Sequence, residues 1–469
     1  MTASAFQNVI RQCRSLGSGA THRLRPAHFG SYLRLSLPAG AARKSIILHL
    51  RGGNPGIYAG EEPRLSLLGV DNDAKSYYIN GEMISDAAFR YRFYPTPAQA
   101  DFLNRTFGCV RVVYNRARAM REEAWSRKER VGFIQTNAML TKLKKNESFA
   151  WLSEVSSVPL QQALRHLDAA YVAFFRKRSR YPRFRSKVGP QSAEFTKSGF
   201  KYRDGAITLA KMDAPLDVRW SRELPSEPST VTVMREADGR WFVSCRALHY
   251  TEELTGGGEV GIDLGLTHFA TLSTGEKIEN PRHLLKRQKK LARAQRRVAR
   301  KKKGSNNRRK AALKVARLHS AVRNARQDFL HQLTTKLIRE NQTICLETLS
   351  VKGMLRTKLH SRSISDAGWS EFVRQLSYKA VWYGRQVARI GRWHPSTKTC
   401  GACGTTGHKL ALSDRAWTCC NCGTAHDRDI NAARNILAEG LSVIACGGGV
   451  NPGVSRHDGL SPMKQELVL

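Results

Sequence analysis

Two pairs of cysteines near the carboxyl end constrain the fold of this chain more than any other feature. The stretch "CGAC" contains Cys400 and Cys403, and "CCNC" contains Cys419 and Cys422, with fifteen residues between the pairs. This spacing is typical of a zinc ribbon, in which each pair lies on a tight turn and four thiolates bind one Zn²⁺ tetrahedrally. Because four thiolates leave no open position, the spacing predicts a structural zinc, with Cys420 as a bystander.

The rest of the chain agrees with a metal rather than a disulfide framework. The other five cysteines are isolated in the sequence: Cys13, Cys109, Cys245, Cys345 and Cys446. In a long chain without a secretory signal, this pattern favours a reducing compartment. No stretch approaches the roughly 18 apolar residues of a membrane span. We therefore expect a bacterial cytoplasmic, nucleoid-associated protein with no membrane partner.

The net charge indicates a polyanionic partner. Lysine and arginine total 78 against 38 for aspartate and glutamate, which gives a formal charge of +40. Residues 282–326 alone contain 19 lysines and arginines and no acid. Their apolar residues recur at helical intervals around the turn "GSNN", which predicts a hairpin of two basic helices. Such a hairpin could be a solvated face, but the absence of counter-charges favours contact with a nucleic acid backbone.

The two ends of the chain differ from its middle. Residues 1–82 contain no acid before Glu61 and are rich in Gly, Ser and Pro. We expect a poorly ordered extension without its own fold and a working protein that begins near Met83. An organelle transit peptide is the alternative, because such leaders are also rich in arginine and serine and poor in acids. Residues 441–469 are predicted to form a disordered tail.

The middle of the chain begins with strand and helix signals. Phe89, Tyr91 and Phe93 alternate as in a strand, and Thr96 then precedes a proline as an N-cap would. A second helical stretch ends near residue 175. The segment "YPRFRSK", residues 181–187, is either a surface on which bases stack or an ordinary helix end that packs its aromatic residues. Short strand-like pieces then predict a β-rich module that ends at the linker "TGGGE", residues 255–259.

Three acids lie where an unpaired carboxylate is costly. Asp263 is the single acid inside the apolar strand "VGIDLGL", and Glu347 is the single acid inside "TICLETL". Asp429 follows the cysteines in "HDRDINAARN". Acids from three such segments could converge on two divalent cations roughly 4 Å apart and hydrolyse a phosphodiester. Each signal is weak alone: "GIDLG" also suits actin-like ATPases, and Asp429 could instead be the N-cap of a helix from Ile430.

Together these motifs resemble the TnpB family, the RNA-guided nucleases of insertion sequences, which are ancestral to the type V CRISPR effectors. The resemblance spans about residues 89–439. It rests on "YRFYPTPAQ", "FGCVRVVYN", "LQQALRHLDAAYVAFFRKR", "YPRFRSK", "VGIDLGL", "ICLETLSVKGM", "WHPSTKTCGACG" and "WTCCNCGTAHDRDINAARNI". The leader before Met83 has no counterpart in the family pattern, and Cys420 stands where the family often has proline.

The resemblance implies a multidomain α/β and β-rich protein. It implies a wedge β-barrel (83–96 and 179–255) interrupted by a helical recognition domain (97–178). A RuvC-like, RNase H-type nuclease domain follows (259–394 and 426–440), into which a zinc ribbon (395–425) is inserted. The catalytic acids would be Asp263, Glu347 and Asp429, with Asn431 completing the family's D-x-N pattern and Asp427 in a supporting role.

The implied activity is RNA-guided cleavage of double-stranded DNA. A guide RNA from the end of the element would pair with the target strand, and the protein would read a short flanking motif. One nuclease site would cut both strands with Mg²⁺, two ions being expected. A type V CRISPR effector would share all these motifs. A nuclease-inactive, RNA-guided DNA-binding regulator is the alternative from another functional class, although relatives of that kind lack catalytic acids and this chain retains all three.

Overall fold

Nearly all residues from 82 to 446 are described, beginning with the twelve-residue strand Glu82–Phe93. The computed structural model describes residues 82–446 except 253, 255, 357–359, 408–409 and 412–413, together with short strands within 21–79. Residues 1–66 form one compact unit and residues 67–469 another. In the first unit, strands β1 (Thr21–Arg23), β2 (Tyr32–Ser36) and β3 (Ser45–His49) form an antiparallel sheet, and β4 is Leu65–Ser66. Most of the predicted extension and residues 447–469 of the predicted tail lie outside the described residues.

The second unit begins with an antiparallel sheet. Its strand order is β5-β6-β12-β11-β7, and β10 also pairs with β6. The alternating residues Phe89, Tyr91 and Phe93 lie on the central strand β6, as predicted, and Tyr91 and Phe93 are buried. Strands β8 and β9 form a separate hairpin. Closure into a wedge barrel stays a prediction. The strands are β5 (Ser76–Ile79), β6 (Glu82–Phe93), β7 (Gln191–Thr196), β8 (Phe200–Arg203), β9 (Ala206–Leu209), β10 (Val218–Arg219), β11 (Thr230–Arg235) and β12 (Trp241–Glu252).

Three helices between β6 and β7 pack on this sheet and share its core. Thr96 caps the first of them as predicted: its hydroxyl accepts from the Gln99 amide at 3.2 Å, and the Gln99 side chain accepts from the Thr96 amide at 3.1 Å. This reciprocal capping box satisfies two of the donors that a helix start leaves free. The second helix lies within the predicted helical domain, although no pattern of its own indicated it. The helices are α1 (Pro97–Ser126), α2 (Phe133–Lys145) and α3 (Ser157–Phe175).

A five-stranded mixed sheet forms the second core. Its order is β15-β14-β13-β16-β17, in which β13, β16 and β17 are parallel and the β13–β14–β15 meander is antiparallel. Long helices connect the strands, and one last helix packs across the sheet. The strands are β13 (Gly258–Leu264), β14 (His268–Leu272), β15 (Lys277–Glu279), β16 (Asn341–Glu347) and β17 (Gln386–Ile390). The helices are α4 (His283–Ala299), α5 (Asn306–Glu340), α6 (Val351–Arg356), α7 (Ser361–Ala367), α8 (Trp369–Trp382) and α9 (Arg428–Ala445).

The predicted basic hairpin is present but longer than the sequence indicated. Helices α4 and α5 pack against each other, and Ser305 caps α5 by accepting from the Arg308 amide at 3.2 Å. Helix α5 runs past the predicted limit at residue 326 because its last turns bury Leu330, Leu333 and Leu337 in the second core. The first part of α5 therefore forms the hairpin with α4, and its last turns pack in the core beside the mixed sheet.

The cysteine segment forms a small insertion between β17 and α9. It contains one antiparallel hairpin of β18 (Ala416–Thr418) and β19 (Ala425–Asp427). Helix α9 begins directly after β19 and continues to Ala445, beyond the predicted limit of the last nuclease segment at residue 440. The part of the chain that the structure describes contains no helix long and apolar enough to cross a membrane.

Candidate nuclease centre and zinc ribbon

Asp263 and Glu347 lie side by side on the two central strands of the mixed sheet. Strands β13 and β16 are parallel, and Ile262 is paired with Leu346. One residue further along each strand are Asp263 and Glu347, so neighbouring strands present both carboxylates at the same level. The Glu347 carboxylate also accepts a hydrogen bond from the Ser396 hydroxyl at 2.8 Å. The pairing therefore brings these two predicted acids together.

Asp429 reaches the same edge from the first turn of helix α9. The N-cap of this helix is Asp427, whose carboxylate accepts from the Asp429 amide at 3.1 Å and from the Ile430 amide at 3.0 Å. The alternative interpretation of Asp429 as an N-cap is therefore wrong, because the cap lies two residues earlier. A Lys277 ammonium lies 2.6 Å from Asp427 and balances its charge. The supporting role predicted for Asp427 thus has a geometric basis.

Two glycines set the position of α9 on the sheet. A Cβ at Gly261 would overlap the Ala433 carbonyl oxygen and lie 2.7 Å from the Leu437 amide nitrogen. A Cβ at Gly440 would overlap the Cys345 sulfur. Helix backbone therefore touches strand backbone at one point and a buried side chain at the other. Because no larger residue fits at these contacts, they fix how far Asp429 lies from the strand that carries Asp263.

The three carboxylates interact electrostatically. Burial, together with the negative charges of Glu347 and Asp429, raises the pKa of Asp263 to about 7. The Arg428 guanidinium acts in the opposite direction, and it also lies 3.4 Å from Asp429. A carboxyl whose ionised form is resisted by two other carboxylates is a typical environment for a divalent cation, which would relieve the repulsion.

The acids are nevertheless less tightly grouped than the cysteines. Within the described residues, the four predicted cysteines form the one group of three or more His, Cys, Asp or Glu side chains gathered closely enough to hold an ion. The carboxylate oxygens of Asp263, Glu347 and Asp429 do not reach that spacing. The strand register and the pKa of Asp263 place the acids as neighbours without a preformed cage.

The cysteine group has the dimensions of a zinc site. All four sulfur atoms lie within 4.8 Å of one another, and two sulfur–sulfur distances, Cys400 to Cys422 and Cys403 to Cys419, are 3.7 Å. A tetrahedron with Zn–S bonds of about 2.3 Å has edges of about 3.8 Å. The donor set therefore fits one Zn²⁺ with no open position. Cys420 is exposed and stands outside the group, as predicted.

The two cysteine turns repeat the same backbone pattern. In the first, the Cys400 amide donates to Thr405 O and the Gly404 amide to Cys400 O, both at 2.9 Å. In the second, Cys419, Thr424 and Gly423 form the same two bonds at the same distances. Hydrogen bonding with the Thr405 hydroxyl lowers the pKa of the Cys403 thiol to about 5, and Thr424 lowers that of Cys422. In each turn the second cysteine is thus shifted towards the thiolate, the form that binds metal. The pKa of Cys419 is instead raised to about 11, by desolvation and by hydrogen bonds with the neighbouring thiols of Cys422 and Cys400.

Two asparagines attach the ribbon to the helix that carries Asp429. Asn431 accepts from the Gly401 amide and donates to Thr399 O, both at 2.8 Å. Asn435, one turn later, donates to Ser396 O and Thr399 O at 2.7 Å. Of these contacts, sequence reasoning named only Asn431, through the family pattern. Ser396, Asn435, Lys277 and Arg428 carried no sequence signal, because their roles depend on contacts that only the fold creates.

The basic hairpin presents a groove without paired charges. The groove encloses about 390 Å³ between α4 and α5, with alanines and a leucine at its base. Its five basic residues are exposed, and none forms an ion pair with a described carboxylate. They are Lys290, Arg293 and Arg297 on α4 and Lys314 and Arg317 on α5.

The segment 181–187 packs as the end of a helical bundle. Arg118 donates to Pro182 O at 2.8 Å. The side-chain amide of Asn115 donates to Arg185 O at 3.0 Å and accepts from the Arg185 amide at 2.8 Å. These contacts agree with the packing alternative. Since Phe184 remains 54% exposed beneath the Arg118 guanidinium, a further role in stacking on bases stays a prediction.

Comparison with known proteins places the chain in a family. A helix-turn-helix domain model matches residues 83–130, which here are strand β6 and the single helix α1. A model described as "Probable transposase", of the OrfB type of IS605 elements, matches residues 232–358. A model described as "Cas12f1-like, TNB domain" matches residues 369–436, which include the zinc ribbon and the start of α9.

Full-length relatives extend the match. The chain is 55% identical over 386 residues to a "Putative RNA-guided DNA endonuclease" of Streptomyces pristinaespiralis, covering 81% of this chain and 96% of that protein. It is 35% identical over 399 residues, with the same coverage, to the protein named InsQ of Escherichia coli K12. A solved Cas12f1–sgRNA–target DNA complex matches with a TM-score of 0.46 and 12% identity, covering 73% of this chain and 83% of that one. The chain belongs to the TnpB family of IS605-type elements.

Proposed function

We propose that this protein is an RNA-guided DNA endonuclease whose RuvC-like centre consists of Asp263, Glu347 and Asp429. The observation that carries the proposal is the parallel register that sets Asp263 beside Glu347, with Asp429 in the first turn of α9 at the same edge. The raised pKa of Asp263, caused by burial and by the two other acids, supports it. Acids drawn from two parallel strands and a helix, and held together against their own repulsion, have no evident structural purpose. Their cost to folding is explained if they bind the cation that performs the chemistry.

The donor set fits Mg²⁺. Mg²⁺ prefers carboxylate oxygens and water, and it usually takes only one or two protein carboxylates per ion. Three loosely grouped acids with room for water and phosphate satisfy that preference better than a closed cage would. When bound, the metal would activate a water molecule and stabilise the leaving oxygen of a phosphodiester.

The protein's own residues orient the acids. Ser396 donates to Glu347 and leaves that carboxylate's second oxygen free of this bond. Lys277 and the two backbone amides hold Asp427, so it caps α9 and is already occupied. Arg428 lies beside Asp429 and favours the ionised form of Asp263. These contacts orient the carboxylates, as the surroundings of a metal site commonly do for its ligands.

The proposed partners are a guide RNA from the element's own end and a double-stranded DNA target beside a short flanking motif. Base pairing would supply specificity, and the protein would hold the heteroduplex through its backbone. The groove between α4 and α5 is the proposed contact with the nucleic acid backbone, because its five exposed cations form no ion pair with the carboxylates that the structure describes. Binding through it should weaken steeply as salt rises.

The test is cleavage of a plasmid library with a randomised flank, by protein that is co-expressed with its flanking genomic DNA. Wild type should cut beside one short flank only with Mg²⁺ and co-purified RNA, and Asp263→Asn should abolish cutting. Asp328→Asn, an exposed acid on α5, is the matched control and should cut normally. If wild type binds RNA and the flank but never cuts, the protein is a guided regulator and the nuclease proposal is wrong.

A further inference from the structure

An exposed tryptophan projects from the loop beside the candidate carboxylates. Trp393 is 84% exposed, although most tryptophans bury their large ring. Single exposed apolar residues are common on protein surfaces and need no explanation by themselves. What distinguishes Trp393 is its place in the chain, because its loop connects strand β17 directly to the residue that holds Glu347.

The loop is fixed to Glu347 at both ends. On one side, Ile390 is paired with Glu347 across the sheet, and the Thr348 hydroxyl donates to Ile390 O at 2.8 Å. On the other, Ser396 donates to the Glu347 carboxylate. Trp393 is therefore three residues from each of two contacts with a proposed metal ligand. A side chain in that position cannot move far from the carboxylates.

The loop is also stiff. The His394 amide donates to Gly391 O at 3.2 Å, and the Ser396 amide donates to His394 O at 2.9 Å. The His394 ring lies 3.7 Å from the Glu439 carboxylate on helix α9. Two of the three elements that carry the candidate acids, β16 and α9, therefore support this loop. A stiff loop that leaves an indole in solvent is suited to receive a flat partner.

The charges around the ring identify that partner. The Arg392 guanidinium lies 4.8 Å from the centre of the Trp393 ring and is itself exposed. An exposed indole beside a cation that forms no ion pair within the described residues matches a nucleotide, in which a flat base is attached to an anionic phosphate. A base inside a duplex is already stacked on both faces, so the occupant must be unpaired.

We propose that Trp393 stacks on an unpaired base of the DNA strand held at the carboxylate site, and that Arg392 contacts an adjacent phosphate. The proposal rests on the nuclease function proposed above, and it assigns a positioning role. With its base fixed on the indole, the nucleotide could not slide, and the scissile phosphate would stay beside Asp263, Glu347 and Asp429. Such fixation contributes to the rate because small misplacements of a reacting group are costly.

The first experiment measures stacking without cleavage. Full-length protein carrying Asp263→Asn is mixed with short single-stranded DNA that contains one 2-aminopurine, placed at each position in turn. We expect quenching to be strongest at one position. There, Trp393→Ala should lose the quenching and bind about tenfold more weakly, whereas Trp393→Phe should keep most of both. Trp125→Ala removes another exposed tryptophan, on α1, and should change neither. If protein with Trp393→Ala quenches the 2-aminopurine as strongly as protein with Trp393 intact, the proposal is wrong.

The second experiment measures cleavage by protein with an intact Asp263. An abasic site at the quenched position should slow wild type about tenfold, and Trp393→Ala should slow cleavage of normal DNA by a similar factor. If the base and the indole act on each other, the two changes together should cost no more than either alone. If the abasic site and Trp393→Ala together slow cleavage by the product of their separate factors, the base and the indole act independently and stacking is refuted. If wild type shows position-specific quenching yet never cuts, the nuclease proposal fails while the stacking site stands.

Discussion

Replacing Gly261 by alanine should damage both stability and activity, because the backbone of α9 occupies the space of the missing side chain. The added Cβ would lie 2.7 Å from the Leu437 nitrogen and 2.8 Å from its Cβ, and it would overlap the Ala433 carbonyl oxygen. Ordinary van der Waals contact begins at 3.4 Å. To restore it, α9 must move away from the Leu437 nitrogen contact by roughly 0.7 Å, and by about 1 Å to clear the Ala433 carbonyl oxygen. None of these atoms lies at the end of a flexible side chain that could turn away.

Two magnitudes follow. Overpacking of a tight contact costs about 1–3 kcal/mol, and backbone on both sides puts Gly261→Ala at the upper end, near 3 kcal/mol. Helix α9 carries Asp429, so a retreat of about 1 Å should also slow cleavage on the order of a hundredfold. Chemical denaturation of full-length protein measures the first effect, and single-turnover cleavage measures the second.

The control is Gly391→Ala, on the loop after β17, where an added Cβ meets nothing within 4 Å. It should leave the free energy of unfolding within about 0.5 kcal/mol of wild type. The reasoning is refuted if Gly261→Ala is as stable as Gly391→Ala, since α9 would then not be held against β13 by backbone contact. Wild-type cleavage by a destabilised Gly261→Ala would refute only the link between α9 and Asp429.

Three further outcomes are expected. Cys403→Ser should lose the zinc of the purified protein, whereas Cys420→Ser should keep about one zinc per chain by elemental analysis; zinc retained in Cys403→Ser would contradict the four-thiolate site. Because the pKa of Asp263 is raised to about 7, its contribution to stability is present below its ordinary pKa and is lost as pH rises through about 7. Urea unfolding of the magnesium-free protein should therefore show a loss of stability between about pH 4 and pH 7 that Asp263→Asn removes, and an equal dependence of stability on pH in both proteins would count against the raised pKa. Asn431→Ala deletes two hydrogen bonds worth about 1 kcal/mol each, so peptides that cover Gly401 should exchange amide hydrogen about 30-fold faster, while the exposed Arg434→Ala should not; unchanged exchange would mean that the ribbon is held elsewhere.

The sequence predicted local features well where one physical rule dominates. The Thr96 cap, the β6 alternation and the cysteine turns each depend on a few consecutive residues, and all are present. The N-terminus of α4 could not be read in this way. Its first free amide, that of Leu284, donates to Asp366 at 2.8 Å, and Asp366 lies on another helix. A cap supplied across the fold leaves no local pattern, because its spacing is set by tertiary packing.

The same distinction separates the acids from their supports. Asp263 and Glu347 were recognisable because a lone carboxylate in an apolar strand violates the usual pattern of burial. Lys277 and Ser396 violate no pattern, since a lysine in a short strand and a serine in a loop are ordinary. Their importance comes from atoms that meet them, Asp427 at 2.6 Å and Glu347 at 2.8 Å. The sequence therefore reveals acids whose burial is energetically unfavourable, but it does not reveal the residues whose hydrogen bonds and charges offset that burial.

Repulsion among the acids would also explain why the four-cysteine segment is inserted directly before the helix that carries Asp429. The carboxylates do not hold themselves together, as the raised pKa of Asp263 shows, so the scaffold must hold them. Helix α9 is fixed to the sheet by Gly261 and Gly440, but its first turn, which carries Asp429, lies beyond those contacts. The ribbon reaches that turn through Asn431 and Asn435. On this reasoning, a zinc bound by the four cysteines would do no chemistry and would stiffen the end of the helix that carries Asp429.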